Sequence, residues 1–230
     1  MEGENAEIEE KSEKIVWEKH GENNPFYVTS NDRTPDKLLE MIPKSCSVLD
    51  AGCGWGRNSI ALMEKGCDLV GVDFSLSLCK EAKKRGIQVV HGDLTRLPFK
   101  THAFDCLISI TVLLHIPTKQ LPSVLKEFHR CSKVSIFNIQ NSYNLGHMLK
   151  HILFMKQTRS VHDARALEEG WLVSCYSFKE VRSMLAKTFR EVEIKEQEKT
   201  LYIDIPRTKA HIKVPCLLDK YAFWLLCVCR

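Results

Sequence analysis

Three aspartates close apolar runs in the first half of the chain: Asp50 in VLDAGCGWG (residues 48–56), Asp73 in LVGVDFS and Asp93 in VVHGDLTRLPF. Three glycines, Gly52, Gly54 and Gly56, follow the first of them at alternate positions. A strand that bends sharply into a helix needs residues that accept positive φ and put no Cβ in a ligand's way. The same bend turns backbone N–H groups and the positive end of the helix dipole toward a carboxylate, a phosphate or a similar group. Asp73 lies twenty-one residues after Gly52, about the separation that brings a carboxylate onto ribose hydroxyls in nucleotide-binding units. A carboxylate at Asp93 could in turn accept the exocyclic amine of an adenine. The three strand ends together suit a nucleoside that carries a polar tail.

Two frames of a dinucleotide-binding loop, Gly-x-Gly-x-x-Gly, can be laid on these glycines. Counting from Gly52 puts Arg57 at the third position, where close strand-to-helix packing disfavours a long side chain. Counting from Gly54 reaches Gly56 and then Ser59, a near match that keeps a nicotinamide- or flavin-dependent oxidoreductase as an alternative.

Holding those residues in place requires a regular frame, and the hydrophobic pattern supplies one. SVLDAG, CDLVGVD, IQVVHGD and FDCLISI read as apolar strands, while RNSIALMEK and SLSLCKEAKKR read as helices that stop at Gly66 and Gly86. A further helix follows Thr118, with Leu121, Val124, Leu125 and Phe128 on one face and Pro122 in its first turn. VSIFNI from Val134 is a fifth strand. Ser177 with Glu180 makes a capping box that opens the helix FKEVRSMLAKTF, whose Val181, Met184 and Leu185 form the buried stripe. REVEIKEQ and the terminal AFWLLCVC add two more strands. The alternation predicts an α/β fold, a Rossmann-like seven-stranded, mostly parallel sheet with helices on both faces.

Residues 1–14 alternate Glu and Lys, and the aromatic-rich stretch from Ile15 to Ile42 leads into a helix that starts near Pro35 or Asp36. Residues 1–44 therefore read as an N-terminal tail and helical lid, and 45–230 as one domain. The rhythm breaks at about 140–176, which reads as a substrate-specificity insert.

Composition bounds the function classes. The chain has 230 residues, 44% hydrophobic and 27% charged, the mix of an ordinary globular domain. Its formal charge of +4 is small and the basic residues form no long run, so nucleic acid is possible but not indicated. The longest apolar stretch, YAFWLLCVC from Tyr221, falls far short of a membrane span, and the charged N-terminus lacks a secretory apolar segment, which predicts a cytoplasmic protein. Ten cysteines are spread through predicted strands and helices and read as reduced core thiols. Cys227 and Cys229 lack a partner pair at ligand spacing, so no metal site is expected.

Taken together, the motifs resemble the class I, Rossmann-like, S-adenosylmethionine-dependent methyltransferases, in particular the group with VLDxGCGxG, a GVDxS strand end, a GDxxxLPF loop and an FDxxxS strand. The resemblance covers residues 45–139 closely and the capped helix and terminal strands more loosely. It implies a sheet whose last strand is antiparallel, S-adenosylmethionine as cofactor and S-adenosylhomocysteine as product. By it Gly52, Gly54 and Gly56 would hold the methionine part, Asp73 the ribose, and Asp93 with the Leu94 backbone the adenine. Asp50 and Phe74 complete the cofactor set, and Ser109 and Ile110, running on to Thr111, would lie under the cofactor. Two turns depart from the family: RCSKVSIF stands where a glycine pair usually precedes the fifth strand, and AKTF replaces Ala-Gly-Phe before the sixth.

Methyl transfer from a sulfonium is an in-line displacement, which asks a protein mainly to align donor and acceptor in a desolvated site. A neutral imidazole near the methyl would help a hydroxyl or protonated amine to react. His115 in ITVLLHIP, just past the fourth strand, is the catalytic candidate, since the family faces substrate there. Tyr27, Asn141, Tyr143 and Trp171, with His147 and His162, are candidates for the acceptor pocket. Trp17, Phe26, Tyr27 and Arg33 could fold over the cofactor as a lid. The leading expectation is O- or N-methylation of a small or medium-sized metabolite by a monomer or homodimer. The alternatives are an RNA (tRNA) or protein methyltransferase, for which LISITVLLHIPTKQ loosely resembles tRNA wobble-uridine methyltransferases, and a non-catalytic adenosylmethionine-binding partner subunit.

Overall fold

The computed structural model describes residues 17–19, 36–141, 174–197, 200–204, 211–215 and 224–230. After helix α1 (Asp36–Met41), strands and helices alternate: β1 (Ser47–Ala51), α2 (Arg57–Glu64), β2 (Asp68–Asp73), α3 (Leu76–Lys84), β3 (Gln88–His91) and β4 (Phe104–Ser109). A 3₁₀ turn (Leu113–His115) leads to α4 (Leu121–Cys131) and β5 (Ser132–Asn141). There follow β6 (Cys175–Tyr176), α5 (Phe178–Leu185), β7 (Val192–Gln197), β8 (Thr200–Asp204), β9 (His211–Pro215) and β10 (Trp224–Cys229).

The main sheet runs β3-β2-β1-β4-β5-β10-β7. Strands β1 to β5 pair in parallel, and β10 is antiparallel to both β5 and β7. Chain order reverses between β1 and β4, so the C-terminal ends of these two strands open the crevice where ligands of doubly wound sheets bind. Alternate residues of the parallel strands feed two cores, one on each face. Leu49, Ala51 and Leu107 pack with α4 and α5, whereas Val48, Cys106 and Ile108 pack with α1, α2 and α3. Both faces are covered, which is why these strands read as continuous apolar runs.

The capping box appears as predicted: Ser177 Oγ accepts from Glu180 N, and Glu180 reaches back to the Ser177 N–H. Val181 and Leu185 are buried, with Met184 packed against them. Pro122 lies in the first turn of α4. The family's glycine pair has no place here because α4 passes into β5 without a loop; Ser132 Oγ donates to Phe128 O at 2.9 Å and closes the helix.

The predicted count of seven strands needs correction. Besides the seven of the main run, β8 and β9 form a separate antiparallel pair in a stretch that carries no element in the sequence reading. In addition, β6 pairs in parallel with the end of β5, Gln140 opposite Cys175 and Asn141 opposite Tyr176. The cause is a length mismatch. β4 ends at Ser109 opposite Phe137, while β5 continues to Asn141 and offers its edge to a new partner.

All nine described cysteines are free thiols, eight of them buried. Among the described residues no helix is long and apolar enough to cross a membrane.

Candidate functional site

The junction of β1 and α2 is tied to β2. Gly52 N and Cys53 N both donate to Val72 O, at 2.8 and 3.1 Å, and Gly56 N donates to Cys53 O at 2.9 Å. Gly54 N donates to Asp73 Oδ2 at 2.8 Å. The N–H groups of Gly52, Cys53, Gly54 and Gly56, which the sequence reading turns toward a ligand, are engaged within the protein. The three motif glycines all have positive φ, but their missing side chains serve different neighbours. A Cβ on Gly52 would stand 2.5 Å from a Val112 methyl, and one on Gly56 would stand 1.9 Å from Ile87 Cδ1. A Cβ on Gly54 would meet nothing within 4 Å, so Gly54 alone of the three keeps an open face.

Asp50 sits beneath this bend and is 1% exposed. Ser59 Oγ donates to its Oδ2 at 2.6 Å, and among the described residues no donor reaches Oδ1. Burial pushes its pKa up to about 7, and the charge of Asp73 adds to the rise. Asp73, also buried, accepts from Gly54 N through Oδ2 and from Ser75 N through Oδ1 at 2.9 Å. Burial raises its pKa, and those two backbone N–H groups oppose the rise. A carboxylate has about four acceptor sites, so Asp73 retains capacity for ribose hydroxyls. Two buried, elevated carboxyls around one open glycine make a place that favours a cation.

Asp93 builds its own turn: its Oδ1 accepts from Thr95 N at 2.8 Å and Thr95 Oγ1 at 2.7 Å. Leu94 is buried beside it. Phe74 is half-buried, and His91 Nε2 donates to its carbonyl at 2.7 Å, a contact that strand periodicity does not reveal. Ser109 is fully buried and donates through Oγ to Ala51 O at 2.8 Å, stapling β4 to β1. Ile110 is half-buried. Thr111, a β-branched residue, is held at φ +64°, with its N–H donating to Asn138 Oδ1 at 2.7 Å. Strain of that kind persists only where surrounding contacts impose it. Asn138 escapes the sequence reading; a polar side chain between Phe137 and Ile139 is the only signal it leaves.

His115 ends the 3₁₀ turn, half-buried, with its ring edge-on to Trp17 at 4.8 Å and 75°. Beside Trp17, Glu18 accepts from Ser77 N at 3.0 Å and Ser75 Oγ at 2.9 Å, and its carbonyl accepts from Ser77 Oγ at 3.0 Å. Residues 17–19 thus bridge the N-terminus of α3 and the turn past β4. Glu18 follows the alternating charges of residues 1–14 as one more acidic residue and gives no sign of these contacts in the sequence.

Tyr27, Tyr143 and Trp171 lie outside the described residues, as do Phe26, Arg33, His147 and His162. The backbone of Asn141 is placed opposite Tyr176, and its side chain is outside the description. Among the described residues no group of three or more His, Cys, Asp or Glu could hold a metal ion.

Residues 48–134 match the family described as a methyltransferase domain. The chain is 36% identical over 82 residues to a tRNA (carboxymethyluridine(34)-5-O)-methyltransferase of Arabidopsis thaliana, covering 36% of this chain and 20% of that protein. It is 40% identical over 79 residues to a malonyl-[acyl-carrier protein] O-methyltransferase of Herminiimonas arsenicoxydans, covering 34% of this chain and 30% of that protein. The chain thus spans less than a third of the length of either relative. In fold it is similar to the magnesium protoporphyrin IX methyltransferase of Synechocystis, solved with bound S-adenosylhomocysteine. That match has a TM-score of 0.57 at 17% identity and covers 95% of this chain and 84% of that one. Fold, strand-end carboxylates and matched family agree. Residues 48–134 thus match a methyltransferase domain, and the chain shares the fold of a methyltransferase solved with S-adenosylhomocysteine.

Proposed function

We propose that this chain transfers the methyl group of S-adenosylmethionine to an oxygen or nitrogen of a small or medium-sized metabolite. The observation that carries the reading is Asp50, a buried carboxylate whose Oδ1 has no donor among the described residues, in the same strand-to-helix junction as Gly54, where an added Cβ would meet nothing within 4 Å. The ammonium of a methionine tail is the donor it lacks, so the residues present fit the cofactor. On this reading Asp50 and Gly54 hold the tail, Asp73 the ribose, and Asp93 with Leu94 the adenine. The bound sulfonium supplies an electrophilic methyl group that needs no activation by a metal.

The remaining work belongs to the chain's own residues. Thr111 and Val112, fixed by Asn138 and Gly52, form the wall past β4. His115 lies on the acceptor side and takes the acceptor's proton on a ring nitrogen. Residues 17–19 act as a strap that keeps water from the crevice. The relatives are named for acceptors as different as a tRNA and an acyl-carrier protein, and each matches only about a third of this chain. On this reading acceptor choice belongs to 140–176, where the strand–helix alternation of the sequence breaks.

The test begins with thermal melts in S-adenosylmethionine and S-adenosylhomocysteine, which should raise the melting temperature. Metabolite extracts are then searched by mass spectrometry for a gain of one methylene. A rise with nicotinamide cofactors instead would overturn the methyltransferase reading. Salt-sensitive methyl incorporation into tRNA, with no metabolite product, would replace the metabolite by RNA. His115→Ala should lower turnover by about 100-fold while S-adenosylhomocysteine affinity stays within about twofold; unchanged turnover removes His115 from the chemistry.

A further inference from the structure

Between β3 and β4 the chain crosses the cofactor side without regular structure, and one ion pair on α4 holds it there. Arg130 Nε donates to Glu127 Oε1 at 2.8 Å, and Arg130 Nη2 donates to Glu127 Oε2 at 2.7 Å. The same guanidinium donates through Nη1 to Phe99 O at 2.6 Å and through Nη2 to Leu97 O at 2.9 Å. Glu127 Oε2 accepts from Leu97 N at 2.7 Å, so both backbone polar groups of Leu97 are held by this pair. Lower down, His102 N donates to Arg130 O at 2.7 Å. A planar guanidinium suits this arrangement because its fixed fork can serve a carboxylate and two carbonyls at once.

Asp93 lies between two anchors. On one side Gly92 N donates to Asp73 O at 2.9 Å, tying the exit of β3 to the end of β2. On the other side stands Leu97, and the link back to Asp93 is a closed turn: Arg96 N donates to Asp93 O at 3.1 Å, and Thr95 N and Oγ1 donate to Asp93 Oδ1. A shift of Leu97 is therefore passed to the Asp93 carboxylate rather than absorbed by slack chain.

We infer that Glu127 and Arg130 are positioning residues for the nucleoside end of the cofactor site, setting where Asp93 and the Leu94 backbone stand without touching the ligand. This rests on the cofactor reading above. In support, Arg130 holds the Glu127 carboxyl below the usual carboxylate range, as expected of a pair ionised together.

The full chain and its Glu127→Gln, Arg130→Ala and Arg130→Lys variants are titrated by calorimetry with S-adenosylhomocysteine and with 5′-methylthioadenosine, which lacks the amino-acid tail. Amide exchange of the ligand-free proteins is compared at 94–99 and 48–56. Glu127→Gln and Arg130→Ala should weaken both ligands by the same factor, about tenfold. Exchange should speed up at 94–99 and stay unchanged at 48–56, with Arg130→Lys lying between wild type and Ala. Folded variants that bind as wild type overturn the inference, as does a loss confined to S-adenosylhomocysteine or exchange that rises equally in both segments. A wild-type chain that binds neither nucleoside brings down the cofactor reading itself, and the positioning role with it.

Discussion

Strands β1 and β4 carry carboxylates at opposite ends, and the two ends are built on opposite terms. At the N-terminal end, Asp105 accepts from Ser47 N at 3.1 Å, Ser47 Oγ at 2.8 Å and Lys133 Nζ at 2.7 Å. Those donors pull its pKa down to about 2. At the C-terminal end, Asp50 has a single side-chain donor, Ser59, and burial pushes it up to about 7. Asp105 is also half-exposed, its side chain open to solvent beside the exposed Lys133. Asp50 instead leads into the positive-φ glycines of the β1–α2 junction and feels the charge of a second buried carboxylate, Asp73. One end of the sheet is satisfied by its own residues; the other has more acceptor capacity than the described protein fills. On the proposed function, that surplus separates a carboxylate that binds a ligand from one that holds the fold together.

The contrast can be broken most directly at Asp73. Asp73→Asn should weaken S-adenosylhomocysteine binding by about 100-fold, the loss of charged hydrogen bonds to two hydroxyls. Asp105→Asn should leave the affinity within about twofold. Equal losses in calorimetry would show that the two ends do not differ in function.

Next in size is the pH profile of Asp50. Only its ionised form pairs with an ammonium, so wild-type affinity should rise by about tenfold from pH 6 to 8, and Asp50→Asn should be flat. The stability sign follows from the same shift. With a folded pKa raised to about 7, the native state keeps a proton that the unfolded chain releases near pH 4. Stability therefore falls as pH rises between about 4 and 7. Ligand-free Asp50→Asn should lack this fall and melt higher than wild type at pH 8. A variant that retains the wild-type profile assigns the effect to another group.

The strap should matter less. Glu18→Ala or Trp17→Ala should speed S-adenosylhomocysteine release by about fivefold, read by stopped-flow, and deletion of residues 1–34 should act in the same direction. Unchanged release and affinity refute the lid. The smallest effect is reserved for the satisfied end. Because the pKa of Asp105 is lowered to about 2, its contribution is present above about pH 4 and lost as pH falls toward 2. Asp105→Asn should change acid melts only, leaving ligand binding alone.

Much of the frame was legible because its signals are local. Gly66 and Gly86 end helices where their neighbours stop being periodic, and Ser177 with Glu180 announces α5 three residues apart. Asp50, Asp73 and Asp93 could be named because each closes an apolar strand. Their partners could not. That Gly52 makes room for Val112 depends on a loop some sixty residues further on, and that Gly54 alone of the three motif glycines faces open space depends also on Ile87 closing over Gly56. Glu18, Asn138, Glu127 and Arg130 carry ordinary charge or polarity in sequence and become informative only through what they touch.

By itself, then, the amino-acid order determined the α/β alternation, the positions of the strand ends and the types of group standing there, since period, caps and turns are set within a few residues along the chain. The folded arrangement decided which donors each acceptor receives. Gly54 N–H goes to Asp73, 19 residues away, Thr111 N–H to Asn138, 27 away, and Ser77 N–H to Glu18, 59 away. Such pairings join segments brought together by burial of the two cores, and no local preference in the chain encodes them.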